Sequence, residues 1–177
     1  MKKAVIISGN LAQDHEFIYP YYRLLEADYD VDVCLLEGKP VKGILGTTLP
    51  PNKNQIIKTI NEIKVSDYEI LVLPGGVKAM EKVRQEKKII NFITDFNKEK
   101  KMIACICSAA QLLISAKVVK GRKIAGYYSM KDDLINAGAI YTDKPAVVDD
   151  NIITTAHYKD MGPWMKATLS FFNEKQK

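Results

Sequence analysis

The chain has 177 residues, a length that fits a single domain over residues 1–177 and lets roughly 70% of the unfolded chain's surface be buried. Hydrophobic residues make up 47% and charged residues 27%, which is ordinary for a globular protein and excludes the disordered and fibrous classes. The net charge of +5 is spread along the chain without a coherent basic stripe, so we expect no nucleic-acid partner.

Cysteine usage and the first apolar run both indicate a cytoplasmic protein. Three cysteines cannot form a paired disulfide framework and fit reduced thiols. The first apolar run stops at Ser8-Gly9 and is shorter than a secretory or membrane-spanning segment. We therefore expect no membrane partner.

Short apolar runs alternate with amphipathic stretches along most of the chain. The apolar runs predict strands at residues 3–8, 31–36, 70–73, 102–105, 124–126, 139–141, 146–148 and 152–155. The amphipathic stretches predict helices at residues 14–27, within 77–97, and at 108–116, 130–136 and 160–172. Asp14 is the expected N-cap of the first helix, and residues 38–51 look like a hairpin or irregular excursion.

This alternation predicts an α/β fold, a mainly parallel sheet with helices on both faces. In such sheets ligands bind outside the carboxyl ends of the strands. That rule selects residues 9–16, 74–77, 106–109 and 127–129, with 156–158 as a possible fifth segment.

The sequence passes from strand to helix at Cys107 without Gly, Pro or Asn. Small residues at 108–110 allow a sharp turn, the geometry of a nucleophile elbow. A helix start also stabilises anions, so we expect a lowered thiol pKa. The alternative is that Cys107 is a small buried hydrophobe, which is the expected role of Cys105 and Cys34.

Other candidates near this edge are weaker when taken singly. Gly75-Gly76 could be only a turn, or could offer backbone N–H groups to an oxyanion. Glu16 could be a solvated helix residue, or a buried carboxyl with a raised pKa. A lone histidine, whether His15 or His157, is more often a surface residue than a base, although a Cys–His pair is the usual thiol activator.

Four motifs occur in an order and spacing that resemble the PfpI/ThiJ superfamily. They are EFIYP at residues 16–20, LPGG at 73–76, ACICSAAQLLISA at 104–116, and KDD with NAG over 131–138. The superfamily belongs to the class I glutamine amidotransferase-like proteins and includes intracellular proteases and the Parkinsonism-associated deglycase. The resemblance covers nearly the whole chain.

The resemblance implies a flavodoxin-like three-layer sandwich and a homodimer or higher homo-oligomer. It implies that Cys107 is the reactive cysteine, that a protonated Glu16 hydrogen-bonds its sulfur, and that Gly76 is a backbone donor of an oxyanion hole. Tyr127 falls where relatives carry Tyr or His beside the cysteine. Glu81 matches a glutamate that some relatives lend to a neighbouring subunit.

The chain also departs from the superfamily pattern. Ser108 stands where the proteases have histidine, and Ala109-Ala110 replaces a common Gly-Pro. Ser108 cannot act as a base at neutral pH, so a peptidase built from adjacent Cys and His is not available. Near the C-terminus, His157 lies close to where relatives carry an Arg followed by Pro, and we hypothesise that it partly replaces the missing base.

Two functions of different classes compete. The leading one is an enzyme in which Cys107 attacks small dicarbonyls such as methylglyoxal, glycated groups, or amides and peptides. The other is a non-enzymatic stress protein in which Cys107 is oxidised as a redox sensor. No cofactor and no metal site are predicted, because the loop at residues 8–13 has one hydroxyl for a phosphate and no ligand spacing suits a metal.

Overall fold

The computed structural model describes residues 2–174, with side chains described to residue 171. The strands are β1 (Lys3–Ser8), β2 (Asp30–Leu35), β3 (Val41–Lys42), β4 (Thr48–Leu49), β5 (Ile57–Lys58), β6 (Ile70–Leu73), β7 (Met102–Ile106), β8 (Lys123–Ile124), β9 (Ile140–Tyr141), β10 (Val147–Asp149) and β11 (Ile152–Thr155). The α-helices are α1 (Asp14–Glu26), α2 (Val77–Val83), α3 (Lys87–Lys98), α4 (Ala110–Ser115), α5 (Lys131–Asn136) and α6 (Met161–Glu174). Within these residues no helix has the length and apolarity needed to cross a membrane.

Seven strands form the main sheet, in the order β10-β11-β7-β6-β1-β2-β5. All neighbours pair in parallel except β10 and β11, which form an antiparallel hairpin at one edge. The central strands β6 and β7 are buried along their full length, as expected of apolar runs covered on both faces. The predicted flavodoxin-like α/β architecture is thus confirmed.

Successive strands are added to the sheet first on one side of β1 and then on the other. From β1 the chain builds outward through β2, and it later returns to add β6 and β7 on the other side. The carboxyl ends of β1, β6 and β7 therefore meet at one edge, beside the point where a crevice forms in doubly wound sheets. The predicted turn at Cys107 follows β7 at this edge.

The predicted long helix within residues 77–97 is wrong. It is two helices, α2 and α3, with a break at Arg84, Gln85 and Glu86. The Glu86 side chain accepts a hydrogen bond from the Lys88 N–H and so caps α3 as a new helix. The guanidinium of Arg84 turns to Ser115 and Gln111 of α4.

Asp14 has a different role from the predicted one. The side chain of Gln13 caps α1, accepting from the Glu16 N–H at 3.1 Å. The buried carboxylate of Asp14 accepts instead from the N–H groups of Leu45 at 2.7 Å and Thr47 at 3.0 Å. It therefore ties the hairpin of β3 and β4, which confirms the predicted hairpin, to the start of α1.

The last helix, α6, packs an apolar face on the sheet. Trp164 and Met165 are fully buried, and Leu169 packs against the core. The Trp164 indole donates to the carbonyl of Ile153 in β11 at 3.2 Å. The hydrophobic spacing of Trp164, Met165, Leu169 and Phe172 predicts that they share this face, and the side chain of Phe172 lies outside the described residues.

Candidate active site

All five segments selected by the strand-end rule line one cavity. It has a volume of about 340 Å³ and is lined by Gln13, Glu16, Ile44, Gly76, Val77, Cys107, Ser108, Tyr127, His157 and Tyr158. The six residues predicted for the site are all among them. Two of these six, Glu16 and His157, lie 141 positions apart in the sequence.

Cys107 sits in a left-handed backbone conformation at the end of β7. Its φ of 61° is one that residues with a side chain seldom adopt. A single 3₁₀ turn over Cys107–Ala109 follows before α4 begins, so the predicted helix at 108–116 starts as a tighter turn. The carbonyl of Cys107 accepts from the Tyr127 N–H at 3.1 Å, which holds the turn against the neighbouring segment. This is the strained turn expected of a nucleophile elbow.

The glycine before the oxyanion candidate allows Glu16 to approach Cys107. A Cβ on Gly75 would lie 2.3 Å from Glu16 Oε2 and 2.9 Å from Cys107 Cβ. The Gly75 N–H instead donates to Oε2 at 2.8 Å. The requirement for glycine here is one of space, since the backbone, the carboxyl and the cysteine all meet at this point.

Glu16 is fully buried, and its environment favours the neutral acid. Burial raises the pKa of its carboxyl to about 7, although hydrogen bonds with the Cys107 thiol and the Gly75 N–H act in the opposite direction. The alternative in which Glu16 is a solvated helix residue is therefore wrong. Near neutral pH this carboxyl can either give or take a proton.

Cys107 is the partly exposed cysteine, whereas Cys34 and Cys105 are buried as predicted. Burial, and then the nearby charge of Glu16, raise the pKa of the Cys107 thiol, while hydrogen bonds from Ser108 act to lower it. The expectation of a lowered thiol pKa at a helix start is thus wrong. The turn is followed by only a short helix, and desolvation exceeds what its N–H groups contribute.

The predicted oxyanion donor already has a partner. The Gly76 N–H donates to Ser108 Oγ at 2.9 Å, and Ser108 is 5% exposed. Gly76 has a φ of 109°, and a Cβ on it would lie 2.6 Å from the Leu11 carbonyl oxygen, so the position requires glycine. Gly76 and Ser108 both line the cavity, and this N–H is already occupied by the serine hydroxyl.

One wall of the cavity is aromatic. The ring of His157 lies 4.0 Å from that of Tyr158 and 6.2 Å from that of Tyr127, measured between centroids. The Nδ1 of His157 accepts from the Lys159 N–H at 3.2 Å. That hydrogen bond selects the tautomer with its proton on Nε2, which is a donor and not a base. The base role of His157 stays a prediction, and this contact argues against it.

Four lining residues were missed by sequence reasoning. Val77 and Tyr158 fall within the selected segments but carry no chemistry that would single them out. Gln13 was passed over in favour of Asp14 as the helix cap. Ile44 comes from the hairpin excursion, which no rule assigns to the strand ends. Glu81 lies on α2 outside the cavity lining and pairs with Lys78 at 3.3 Å.

A parallel α/β sandwich with a cysteine in a strained turn beside a buried carboxyl defines a class of protein with a nucleophile-elbow site. The model of the DJ-1/PfpI family matches residues 2–170, and the chain belongs to that family. It is similar to the deglycase PfpI of Pyrococcus furiosus, with 37% identity over 93% of this chain and 95% of the relative. It is also 31% identical to general stress protein 18 of Bacillus subtilis, over 98% and 99% of the two chains.

A solved structure shares the fold closely. It is a two-domain protein of Anabaena variabilis with a DJ-1/ThiJ/PfpI-like domain and a ferritin-like domain. The match has a TM-score of 0.90 and 30% identity, and covers 98% of this chain but 48% of that one.

Proposed function

We propose that the chain is a cysteine-dependent enzyme in which Cys107 adds to small electrophilic carbonyls, such as methylglyoxal, or to glycated groups. The observation that carries the proposal is that the partly exposed Cys107 and a buried carboxyl with a pKa raised to about 7 lie together against Gly75. The relatives named deglycases and a general stress protein agree with this chemistry.

The pair supplies a proton route for addition. As the sulfur bonds to the carbonyl carbon, the thiol proton passes to the Glu16 carboxylate and the carbonyl electron pair moves to oxygen. Glu16 then returns the proton to that oxygen, which gives a neutral hemithioacetal. A carboxyl titrating near neutrality suits both transfers.

The cavity favours small substrates. Its volume of about 340 Å³ is at the lower end of the range for ligand-binding pockets. A cavity of this size can hold a small dicarbonyl or a single modified side chain beside its aromatic wall. Hydrolysis of amides or peptides has less support. It needs protonation of an amine leaving group, and His157 is not joined to Cys107 by any hydrogen bond among residues 2–174.

The test is incubation of the protein with methylglyoxal in water, with lactate as the measured product. We expect lactate to form, and Cys107→Ser to lower its rate about a hundredfold or more, because a hydroxyl is a much weaker nucleophile here. Cys34→Ala, which removes a thiol buried in β2, is the matched control and should retain the rate. Equal rates for Cys107→Ser and the parent would exclude the proposal.

A second function is favoured by the same pair. A neutral Glu16 could donate a hydrogen bond to an oxidised Cys107 and stabilise a sulfinate. If no carbonyl substrate is turned over, and mild peroxide adds the mass of two oxygens at Cys107, the redox-sensor function is supported instead.

A further inference from the structure

Ser108 lies between Gly76, the predicted oxyanion donor, and Cys107, the proposed nucleophile. Its hydroxyl oxygen accepts from the Gly76 N–H at 2.9 Å, and it follows Cys107 directly in the turn. Both residues line the cavity. A serine hydroxyl has one proton, so an oxygen that accepts from Gly76 is left to donate that proton elsewhere.

The sulfur of Cys107 belongs to the preceding residue of the same turn and faces the same cavity. Hydrogen bonding from Ser108 acts to lower the pKa of that thiol, so the sulfur is the acceptor that we assign to the hydroxyl. A chain of donors therefore runs from Gly76 through Ser108 to the sulfur. Because each hydrogen bond in such a chain polarises the next, the hydroxyl is a stronger donor than an isolated serine.

We propose that the Ser108 hydroxyl is a donor that serves two atoms in turn, first the sulfur of Cys107 and then the oxygen of the carbonyl adduct. The proposal rests on carbonyl addition at Cys107. It gives a role to a position where the family's proteases have histidine, and it makes the serine side chain, rather than the bare Gly76 N–H, the group that meets the substrate oxygen.

The redistribution of charge during addition explains why one donor suffices. As the thiol proton passes to the Glu16 carboxylate, negative charge develops on sulfur, where the Ser108 hydroxyl stabilises it. When the carbon–sulfur bond forms, the sulfur becomes a neutral thioether and the charge moves to the former carbonyl oxygen. The hydroxyl can then rotate about its C–O bond to that oxygen while it still accepts from Gly76. No oxidant or further reactant is needed.

The test compares Ser108→Ala with Ser108→Thr, which keeps a hydroxyl. The first readout is the rate of Cys107 alkylation by iodoacetamide against pH. Ser108→Ala should move its midpoint upward by about one unit and slow alkylation at pH 7 about tenfold, because the sulfur anion loses one hydrogen bond. Ser108→Thr should stay within about threefold of the parent. The second readout is kcat with methylglyoxal, which Ser108→Ala should lower with little change in KM.

Alkylation needs no turnover, so it decides on Ser108 even if the protein converts no carbonyl. An unchanged alkylation profile in Ser108→Ala would overturn the proposal. So would an equal loss in the alanine and threonine variants, since a hydroxyl-independent effect is one of packing. Protection of Cys34 from alkylation, measured by mass spectrometry in the same samples, reports that each variant is folded.

Discussion

The two side chains at the centre of the site, Glu16 and Cys107, influence each other's protonation. Glu16 is fully buried and accepts a hydrogen bond from the Gly75 N–H, and Cys107 lies against the same glycine. Ionising both groups would place two negative charges side by side without a cationic partner in the cavity lining. Near neutral pH the thiol therefore keeps its proton while the Glu16 carboxyl titrates, and the reactive form is the one in which the thiol proton has passed to the Glu16 carboxylate.

Glu16 should make the free energy of unfolding depend on pH. Its pKa is about 7 in the folded chain against 4.5 as the ordinary value, so the folded state binds more protons between these two values and stability falls as pH rises. We expect the stability contribution to be fully present below pH 4.5 and lost as pH passes 7, a fall of roughly 3 kcal/mol. Urea unfolding of the parent and Glu16→Gln at intervals from pH 4 to 8 measures it.

The glutamine variant should lack this fall, because it keeps an acceptor for the Gly75 N–H and has no proton to lose. Glu81→Gln, on the exposed surface of α2, is the matched control and should follow the parent. If the parent and Glu16→Gln differed by the same amount at every pH, Glu16 would not titrate in this range.

The strand-end rule and the family resemblance together predicted six of the ten cavity-lining residues and the protonated Glu16, but not the raised thiol pKa or the partner of Gly76. Glu16, Gly76 and Cys107 each follow or face a strand end, and the strand-end rule needs only the order of elements. The hydrogen bond from Gly76 to Ser108 depends on the rotamer of one buried side chain, and the raised thiol pKa depends on total burial. Neither property is encoded in the local sequence.

At the scale of elements, the loop after β6 packs closely against α1 and the cysteine turn. There is no space for a side chain at Gly75, where the three segments meet. Gly75→Ala should destabilise the chain by about 1–3 kcal/mol and slow Cys107 alkylation, because the new Cβ would lie 2.3 Å from Glu16 Oε2 and 3.1 Å from the backbone carbonyl oxygen of Ile106.

Gly162→Ala is the matched control, since a Cβ at this position in α6 meets nothing within 4 Å. The control should be neutral or more stable by up to about 1 kcal/mol. Thermal unfolding and alkylation of both variants decide the matter, and equal stabilities would contradict the steric limit.

Helices and strands could be predicted from the sequence where the pattern of hydrophobic residues is enough to define them. Strands β1, β6 and β7 are continuous apolar runs and were predicted within one residue. The break between α2 and α3 was missed because it depends on the Glu86 cap and on contacts of Arg84 with α4. Strand β5 has two half-buried residues in a polar stretch and carries no periodic signal. Its position at the edge follows from pairing with β2.

The whole molecule is organised around one continuous sheet, and we propose that it unfolds as one unit. Cys34 lies in β2 and Cys105 in β7, with β1 and β6 between them. Burial raises the pKa of the Cys34 thiol to about 12 and that of Cys105 well above its usual range. Both thiols should therefore react only when the sheet opens.

In a Cys107→Ser background, iodoacetamide should label Cys34 and Cys105 at the same rate, each at least about 10³-fold slower than an unstructured thiol. Because global opening exposes both, the two rates should rise together with urea, with the slope of the equilibrium unfolding curve. Mass spectrometry of the peptides that contain each cysteine measures the rates separately. Faster labelling of Cys34 with no dependence on urea would show that β2 and β5 open locally at their edge, and the sheet would then be two units and not one.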